Sequence, residues 1–338
     1  MDTSTSWNSL SLGLEIAIAL AEKRDTHALT HAFIAQLEAL PFVSTASAYE
    51  IFGDTTKATG EASDFSELVV QRFPRFLQTQ DKAERTQLLR EYSQCDSLTL
   101  IPLDAGDDQQ LAILPISDGA GPIRMVIAEC RGAVDQRILS RLHTLYEDLI
   151  HNLDSKERDV LTELLNRQTF DQNLMLVSQA LRKNRVEAHG GGGQSWLAML
   201  DIDHFKRIND SYGHLYGDEI LVLFSGLMKQ WFRYTDFLFR YGGEEFAVIL
   251  NQTDHAGAEH ALTRFRHAVA DYEFPTVGGI TTSGGYCEID PKVLPGTLID
   301  QADKALYYAK QHGRNRIIRY DDAFGPSGHA VEGPIELF

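Results

Sequence analysis

The spacing of apolar positions divides the chain into two halves with different element patterns. In the first half, two helical patterns lie between Leu10 and Leu40, and a run with a period of two follows over Phe42–Phe52. One more helix is predicted near Asp81–Tyr92. Turn residues then separate three strand-like runs, at Leu98–Pro102, Gln110–Pro115 and Ile123–Cys130. Helices followed by a series of strands predict an α+β sandwich over residues 1–134.

A long amphipathic helix is predicted over residues 135–158. Ile138, Leu142, Leu145 and Leu149 are spaced four, three and four residues apart, which fits a coiled-coil seam. We interpret this helix as a linker that pairs two copies of the chain. Over two heptads the same stripe also fits a helix that packs on its own domain, so this alternative stays open.

The second half alternates helical and strand patterns. The strands are expected at 196–201, 237–241, 245–250, 276–286 and 316–320, and the helices at 168–185, 216–231, 256–270 and 297–311. This order predicts an α/β domain over residues 159–322, in which helices flank a central sheet that contains antiparallel strands. Residues 323–338 are expected to form a flexible tail.

Composition narrows the possible partners and the compartment. The 338 residues carry a net charge of −17, which argues against a nucleic-acid partner. A polyanionic ligand would therefore need metal ions and a few well-placed cations. Cys95, Cys130 and Cys287 have no metal-binding spacing and fit buried positions in a reducing cytoplasm. No apolar run is long enough to predict a membrane span.

Acidic residues follow the buried strand pattern that starts at Trp196. Asp201 and Asp203 are two positions apart, so in an extended strand their side chains point to the same side. A divalent cation at the sheet edge would explain the pair. A cap of the following helix is the alternative.

A second acidic site lies between two apolar runs. Gly242, Gly243, Glu244 and Glu245 predict a β-hairpin with a Gly-Gly turn. Adjacent carboxylates repel each other, and Mg²⁺ would compensate by taking oxygen ligands from them and from substrate phosphates. An exposed hairpin tip in solvent is the simpler alternative.

These motifs together resemble the GGDEF family of diguanylate cyclases. Gly242–Phe246 is similar to the family signature, and the agreement extends over about 160 residues. The further matching segments are Asp159–Arg167, Asp201–Lys206 with Asn209, Gly213, His214, Gly217 and Asp218, Thr282–Gly285, Ala302–Lys310 and Gly313–Asn315. Glu163 departs from the pattern, because the family usually has glycine there; we expect this to affect a helix turn only.

The resemblance implies roles for individual residues. Asp201, the Ile202 carbonyl and Glu244 would hold two Mg²⁺ (or Mn²⁺) ions per half-site, with Glu245 beside them. The division of metal binding and general-base duty between the two glutamates stays open. Asn209 and Asp218 would contact the guanine, His214 would lie near the nucleotide, and Gly242 and Gly243 would let it approach the backbone. Lys206, Lys310 and Arg314 would contact the phosphates.

The reaction that the resemblance implies condenses two GTP molecules into cyclic di-GMP and two pyrophosphates. Each half-site would hold one GTP, so two copies must meet as a homodimer. A carboxylate at Asp218 can accept the guanine N1–H and N2–H₂, which favours GTP over ATP. Two alternatives remain: a catalytically silent receptor for cyclic di-GMP, and a cyclase that uses ATP.

A further pair, Arg233 and Asp236, precedes the hairpin at the distance of the family's product-inhibition motif. Arg can bind phosphate or guanine as a fork, and Asp can accept from guanine. The alternative is a surface ion pair at a helix end, which contributes little stability.

The first domain resembles a GAF domain, or more loosely a PAS domain, and would regulate the second. His27, His31, Cys95 and Cys130 are scattered and are expected to be structural. The signal that this domain would sense, a small molecule or a protein, does not follow from the sequence. A purely dimerising role is the alternative.

Overall fold

The chain forms two units in the computed structural model. The structure describes residues 14–52, 69–73, 83–92, 95, 97–103, 108–116, 123–187 and 194–325. The first unit spans Met1–Lys156 and the second Glu157–Phe338. Within the described residues, no helix is both long and apolar enough to cross a membrane.

The first unit is built on an antiparallel sheet of five strands in the order β2-β1-β5-β4-β3. The strands are β1 (Val43–Phe52), β2 (Val69–Arg72), β3 (Thr99–Pro102), β4 (Gln109–Ile116) and β5 (Ile123–Arg131). The helices are α1 (Thr26–Glu38), α2 (Ala83–Glu91) and α3 (Gln136–Glu157), and residues 14–21 are also helical. Strand β2 was not predicted, because its segment is short and mostly surrounded by polar residues.

Both faces of this sheet are covered. Alternate β1 residues point to opposite faces, so Ala46 and Ala48 join the core beneath α1 and α3, whereas Tyr49 and Ile51 join a smaller cluster with Leu89 of α2. Cys130 is buried in the larger core, as expected for a small apolar side chain. His27 and His31 contact each other and Phe73, with ring centroids 4.6 Å apart for the two histidines.

Helix α3 packs against the sheet of its own unit. Its buried stripe consists of Leu139, Leu142, Tyr146, Ile150 and Leu153. The predicted seam residues Ile138, Leu145 and Leu149 lie at the edge of this stripe and are partly buried. The packing that the sequence left as the alternative is therefore present, and a second role for this helix in dimerisation stays a prediction.

The second unit contains a five-stranded sheet in the order β12-β11-β6-β8-β7, with β12 parallel to β11 and the other pairs antiparallel. The strands are β6 (Trp196–Ile202), β7 (Phe237–Gly242), β8 (Glu245–Leu250), β11 (Thr282–Glu288) and β12 (Ile317–Arg319). Strands β9 (Glu273–Phe274) and β10 (Gly278–Gly279) form a separate pair. Only the last part of the strand predicted over 276–286 therefore belongs to the main sheet.

Helices cover both faces of this sheet. They are α4 (Arg167–Glu187), α5 (Phe205–Tyr212), α6 (His214–Trp231), α7 (His255–Asp271), α8 (Pro295–Gln311) and α9 (Tyr320–Phe324). Strand β6 is buried along its whole length, which explains why its sequence is apolar from Trp196 to Leu200. The predicted strand end at 320 is wrong, because Tyr320 begins α9, and residues 326–338 of the predicted tail lie outside the described residues.

Candidate active site

Two strands bring carboxylates to the same end of the sheet. In the pairing of β6 with β8, Asp201 lies opposite Glu245. Gly242 pairs with Glu245, so Gly243 and Glu244 form the loop of the hairpin. The predicted Gly-Gly turn is thus displaced by one residue, because the β7–β8 register shifts between Arg240 and Gly242. Gly243 has φ of 43°, a conformation that hairpin turns commonly assign to glycine.

Asp201 is a buried carboxylate with one cation beside it. It is 5% exposed, and its Oδ2 lies 2.7 Å from Nζ of Lys310, near the end of α8. Burial is the largest cause that raises the pKa of Asp201 to about 6; Lys310 lowers it, and the charges of Glu244 and Glu245 raise it. The negative charges of two further carboxylates therefore act on Asp201, which has the ammonium group of Lys310 beside it.

This donor set fits a magnesium site that a substrate helps to complete. Among the described residues, no group of three or more His, Cys, Asp or Glu side chains is arranged to hold a metal alone. Mg²⁺ usually takes one or two carboxylates and fills its other positions with water and phosphate oxygens. Asp201, Glu244 and the Ile202 carbonyl are oxygen donors of this kind, and the excess negative charge favours a cation.

Asp203 does not share the environment of Asp201. Strand β6 ends at Ile202, and the carboxylate of Asp203 accepts hydrogen bonds from Thr281 Oγ1 (2.6 Å), Ser283 Oγ (2.7 Å) and the Asn315 N–H (3.0 Å). The expectation that both aspartates face one cation is therefore wrong. The capping alternative is wrong too, because His204 occupies the N-cap of α5 and makes no side-chain capping bond.

The residues predicted to contact guanine lie on α5 and α6. Asn209 Oδ1 is buried and accepts no hydrogen bond from the described protein atoms. Gly217 makes room for it, since a Cβ at that position would lie 2.0 Å from Asn209 Oδ1. Asp218 and His214 are exposed on α6. An acceptor that is buried without a donor is suited to a ligand N–H.

The predicted phosphate-binding cations lie on α5, on α8 and in the turn that follows α8. Lys206 is exposed on α5, and Lys310 is 31% exposed in its ion pair with Asp201. Arg314 is half-buried in the turn that follows α8. The structure thus places one of the three predicted cations, Lys310, directly beside the carboxylate of Asp201.

Arg240 connects the hairpin to the beginning of the second unit. Its Nε and Nη2 each lie 3.1 Å from the Gly243 carbonyl, and its Nη1 lies 3.0 Å from Asp159 Oδ1. Burial raises the pKa of Asp159, but hydrogen bonds from Thr162 and the charge of Arg240 outweigh it, so the pKa lies below its usual value. The sequence did not predict this contact between Arg240 and Asp159.

Arg233 and Asp236 lie at the opposite end of β7 from the hairpin. Asp236 is 6% exposed, and its two oxygens accept the N–H groups of Arg233 (3.0 Å) and Asn251 (3.1 Å). Arg233 is exposed. Asp236 thus closes the turn on which Arg233 stands, instead of lying on the surface as the ion-pair alternative assumed.

The structure therefore brings five of the predicted residues together at one end of the sheet. Asp201, Ile202, Glu244, Glu245 and Lys310 are joined there by strand pairing and an ion pair. Arg233 and Asp236 lie apart from this group, at the other end of β7. The sequence did not foresee the hydrogen bonds of Asp203, although its position two residues after Asp201 marked it as polar at a buried strand end.

The fold and this site define an α/β domain that carries acidic groups and cations at one sheet edge, an arrangement suited to a phosphorylated ligand. The sequence model described as "Diguanylate cyclase, GGDEF domain" matches residues 156–316. These residues of the chain are therefore similar to the GGDEF domain of diguanylate cyclases.

Two curated relatives and one solved structure illustrate the similarity. The chain is 36% identical over 188 residues to the diguanylate cyclase DgcP of Pseudomonas aeruginosa, which covers 54% of this chain and 28% of DgcP. It is 37% identical over 161 residues to the diguanylate cyclase DgcS of Shewanella oneidensis, covering 46% and 50%. A solved structure contains the coiled coil and GGDEF domain of DgcB from Caulobacter crescentus in complex with c-di-GMP, and it is 29% identical to this chain with a TM-score of 0.47. The match covers 54% of this chain and 95% of that chain. The chain thus spans at most half the length of these two curated relatives.

Proposed function

We propose that this protein is an active diguanylate cyclase that condenses two GTP molecules into cyclic di-GMP and releases two pyrophosphates. The observation that carries the proposal is the group of carboxylates around Asp201, which the β6–β8 pairing and the Lys310 ion pair hold at one sheet edge. The match to the GGDEF family model supports it, as does the similarity to two curated relatives that are diguanylate cyclases.

The catalytic work of the chain would be positioning and proton transfer. Mg²⁺ or Mn²⁺, two ions per half-site, would neutralise charge on the triphosphate. Asp201, the Ile202 carbonyl and Glu244 would hold the ions. Glu244 or Glu245 would accept the proton of the attacking 3′-hydroxyl, since both lie at the hairpin beside Asp201.

The basic side chains would fix the triphosphate. Lys206, Lys310 and Arg314 would contact its oxygens, and the ammonium group of Lys310, which now pairs with Asp201, would bind a phosphate oxygen. The ammonium groups of the two lysines would act as point charges, and the guanidinium of Arg314 can bind two phosphate oxygens at once.

Base selection would depend on α5 and α6. The buried Oδ1 of Asn209 offers an acceptor, and the exposed carboxylate of Asp218 offers two more. Guanine presents the N1–H and N2–H₂ donors that match them, whereas adenine lacks this pair. His214 would lie beside the nucleotide.

The product requires two half-sites. A cyclic dinucleotide contains two phosphodiester bonds, and each half-site would hold one GTP, so two copies would meet with their hairpins facing each other. The first unit would regulate this meeting as a GAF- or PAS-like domain, in the cytoplasm, in response to a small molecule or a protein.

One product analysis separates the candidate functions. Full-length protein is incubated with Mg²⁺ and GTP, ATP or both, and the products are separated by chromatography. Cyclic di-GMP from GTP alone is the expected result. A product that contains adenine would indicate a different cyclase, and binding of cyclic di-GMP without any turnover would indicate the silent receptor.

We propose product inhibition at Arg233 and Asp236. Arg233 is exposed and would bind a phosphate or guanine edge, while Asp236 fixes the turn that carries Arg233 and would complete the same product site. Arg233→Ala should raise the concentration of added cyclic di-GMP that halves the initial rate by about tenfold, the loss of one charged hydrogen-bond pair.

The control for this measurement is Lys292→Ala, which removes an exposed positive charge from the turn before α8. Its inhibition curve should match that of the parent protein. An Arg233→Ala curve that also matches the parent would reject the feedback site.

A further inference from the structure

The turn that carries Arg314 has an unusual backbone. Three consecutive residues, Gly313, Arg314 and Asn315, have φ of 104°, 58° and 45°. Residues other than glycine adopt this region rarely, and they remain in it only where surrounding contacts over-determine the conformation. Something outside the turn must therefore hold Arg314 and Asn315 in place.

Contacts from two directions hold the turn. The Asn315 N–H donates to Asp203 Oδ2 at 3.0 Å. From α7, Arg266 Nη1 donates to the Asn315 carbonyl at 3.2 Å and to its Oδ1 at 2.8 Å. The backbone of the residue next to Arg314 is thus clamped between the end of β6 and a helix.

Asp203 is itself rigidly placed. Its carboxylate is 4% exposed and accepts from the hydroxyls of Thr281 and Ser283, and its N–H donates to the Thr281 carbonyl at 2.9 Å. Both carboxylate oxygens are already occupied by donors, which leaves this side chain poorly suited to bind a metal.

We infer that Asp203 is a positioning residue that holds Arg314 in place to bind the triphosphate. The two acids at this strand end then have separate roles. Asp201 contacts Lys310 at the proposed metal site, whereas Asp203 fixes the turn that carries Arg314. This inference rests on the proposed function, because it needs Arg314 to contact the nucleotide.

A double-mutant cycle tests this inference through binding instead of turnover. The dissociation constant of α,β-methylene-GTP, which cannot release pyrophosphate, is measured calorimetrically with excess Mg²⁺ on full-length protein. Asp203→Asn and Arg314→Ala should each weaken binding about tenfold. The double variant should bind no more than about twofold worse than Arg314→Ala alone, since both changes remove one interaction.

The matched control is Asp254→Asn. Asp254 Oδ1 also accepts a backbone N–H, that of Gly257 at 2.8 Å, but at the start of α7. Asparagine also caps helices, so this variant should bind the analogue like the parent protein. Circular dichroism and thermal melting show whether each variant is folded.

Three results would overturn the inference. Losses that multiply in the double variant would show that Asp203 acts independently of Arg314. Unchanged binding in folded Asp203→Asn would show that the clamp is unnecessary. Weaker Mn²⁺ binding by that variant without nucleotide, read by electron paramagnetic resonance, would make Asp203 a metal ligand instead.

A milder variant applies if Asp203→Asn does not fold. Thr281→Val removes one hydroxyl donor with little change of shape, and we expect about threefold weaker binding that disappears in the Arg314→Ala background; unchanged binding overturns the inference. If the parent binds the analogue but makes no cyclic di-GMP, the proposed reaction fails and the cycle still reports on Asp203. If the parent does not bind it, both proposals fail.

Discussion

Buried charges are balanced differently in the two units. In the first unit, Arg124 of β5 lies between two buried acids, 2.8 Å from Asp154 on α3 and 3.8 Å from Glu50 on β1. Burial alone would lower the pKa of Arg124, but Asp154 and Glu50 outweigh it and raise the pKa. In the second unit, one lysine faces Asp201 while two further glutamates act on the same carboxylate.

The difference separates a structural network in the first unit from the proposed metal site in the second. The guanidinium in the first unit contacts both acids and joins β1, β5 and α3. The protein itself therefore balances the buried charges of this network. The charges of Glu244 and Glu245 raise the pKa of Asp201, and this excess of negative charge is one that Mg²⁺ can neutralise. Removal of one charge from the network of the first unit should therefore lower stability. Removal of one carboxylate from the group in the second unit should lower turnover and leave stability intact.

The largest expected effect is the loss of turnover in Glu245→Ala with the fold retained. Loss of a general base or metal ligand should reduce cyclic di-GMP formation by about 10²–10⁴-fold. Stability should not fall, because one of several mutually repelling carboxylates is removed. Product chromatography measures the first quantity, and urea unfolding followed by circular dichroism measures the second.

The control for that experiment is Glu273→Ala. Glu273 is an exposed carboxylate on β9, outside the main sheet, and its loss should leave turnover unchanged. A Glu245→Ala protein that keeps full activity would refute the site assignment. One that unfolds would show that these carboxylates are structural, as in the first unit.

The next effect in size is destabilisation of the first unit by Arg124→Met. It leaves Glu50 and Asp154 buried without their cation, which should cost about 3–5 kcal/mol of unfolding free energy. Hydrogen exchange read by mass spectrometry should show faster exchange in β1 and β5. Adding Glu50→Gln and Asp154→Asn should recover a large part of the loss, because the uncompensated charges are then gone.

Arg137→Met is the matched control, since Arg137 is exposed on α3. It should change the unfolding free energy by less than about 0.5 kcal/mol. If Arg124→Met is equally mild, the network contributes little and the contrast between the two units is lost.

The sequence predicted the carboxylate edge because strand periodicity and the signature residues agree on it. Asp201 and Glu245 lie at a strand end and at a hairpin, and antiparallel pairing of their strands is enough to bring them together. The same reasoning was wrong for Asp203, because alternation applies only while the chain stays in the strand, and β6 ends at Ile202.

Long-range polar contacts could not be predicted from local patterns. The bond between Asp203 and the Asn315 N–H joins residues 112 positions apart, and that between Arg240 and Asp159 joins residues 81 apart. The role of the apolar stripe on α3 was ambiguous for a related reason. A period near 3.5 predicts an apolar helix face, but it does not tell whether that face packs on its own domain or on a second copy of the helix.

The smallest expected effect concerns Glu163, which departs from the family pattern. The sequence placed it in a helix turn, but it lies in the turn between residues 159 and 164 with φ of 58°, which explains why glycine suits this position. Glu163→Gly should stabilise the second unit by about 0.5–1 kcal/mol, because relief of the left-handed conformation exceeds the added chain entropy. The lost ion pair with Lys229 is exposed and contributes little. Turnover should stay unchanged, since the strain lies outside the carboxylate group; thermal melting and the product assay measure the two quantities.

Lys229→Met, which removes the same ion pair but keeps Glu163, is the control and should leave the melting temperature almost unchanged. A fall in turnover for Glu163→Gly would extend the functional site of the second unit beyond its sheet edge, to the turn that Asp159 and Arg240 connect to the hairpin.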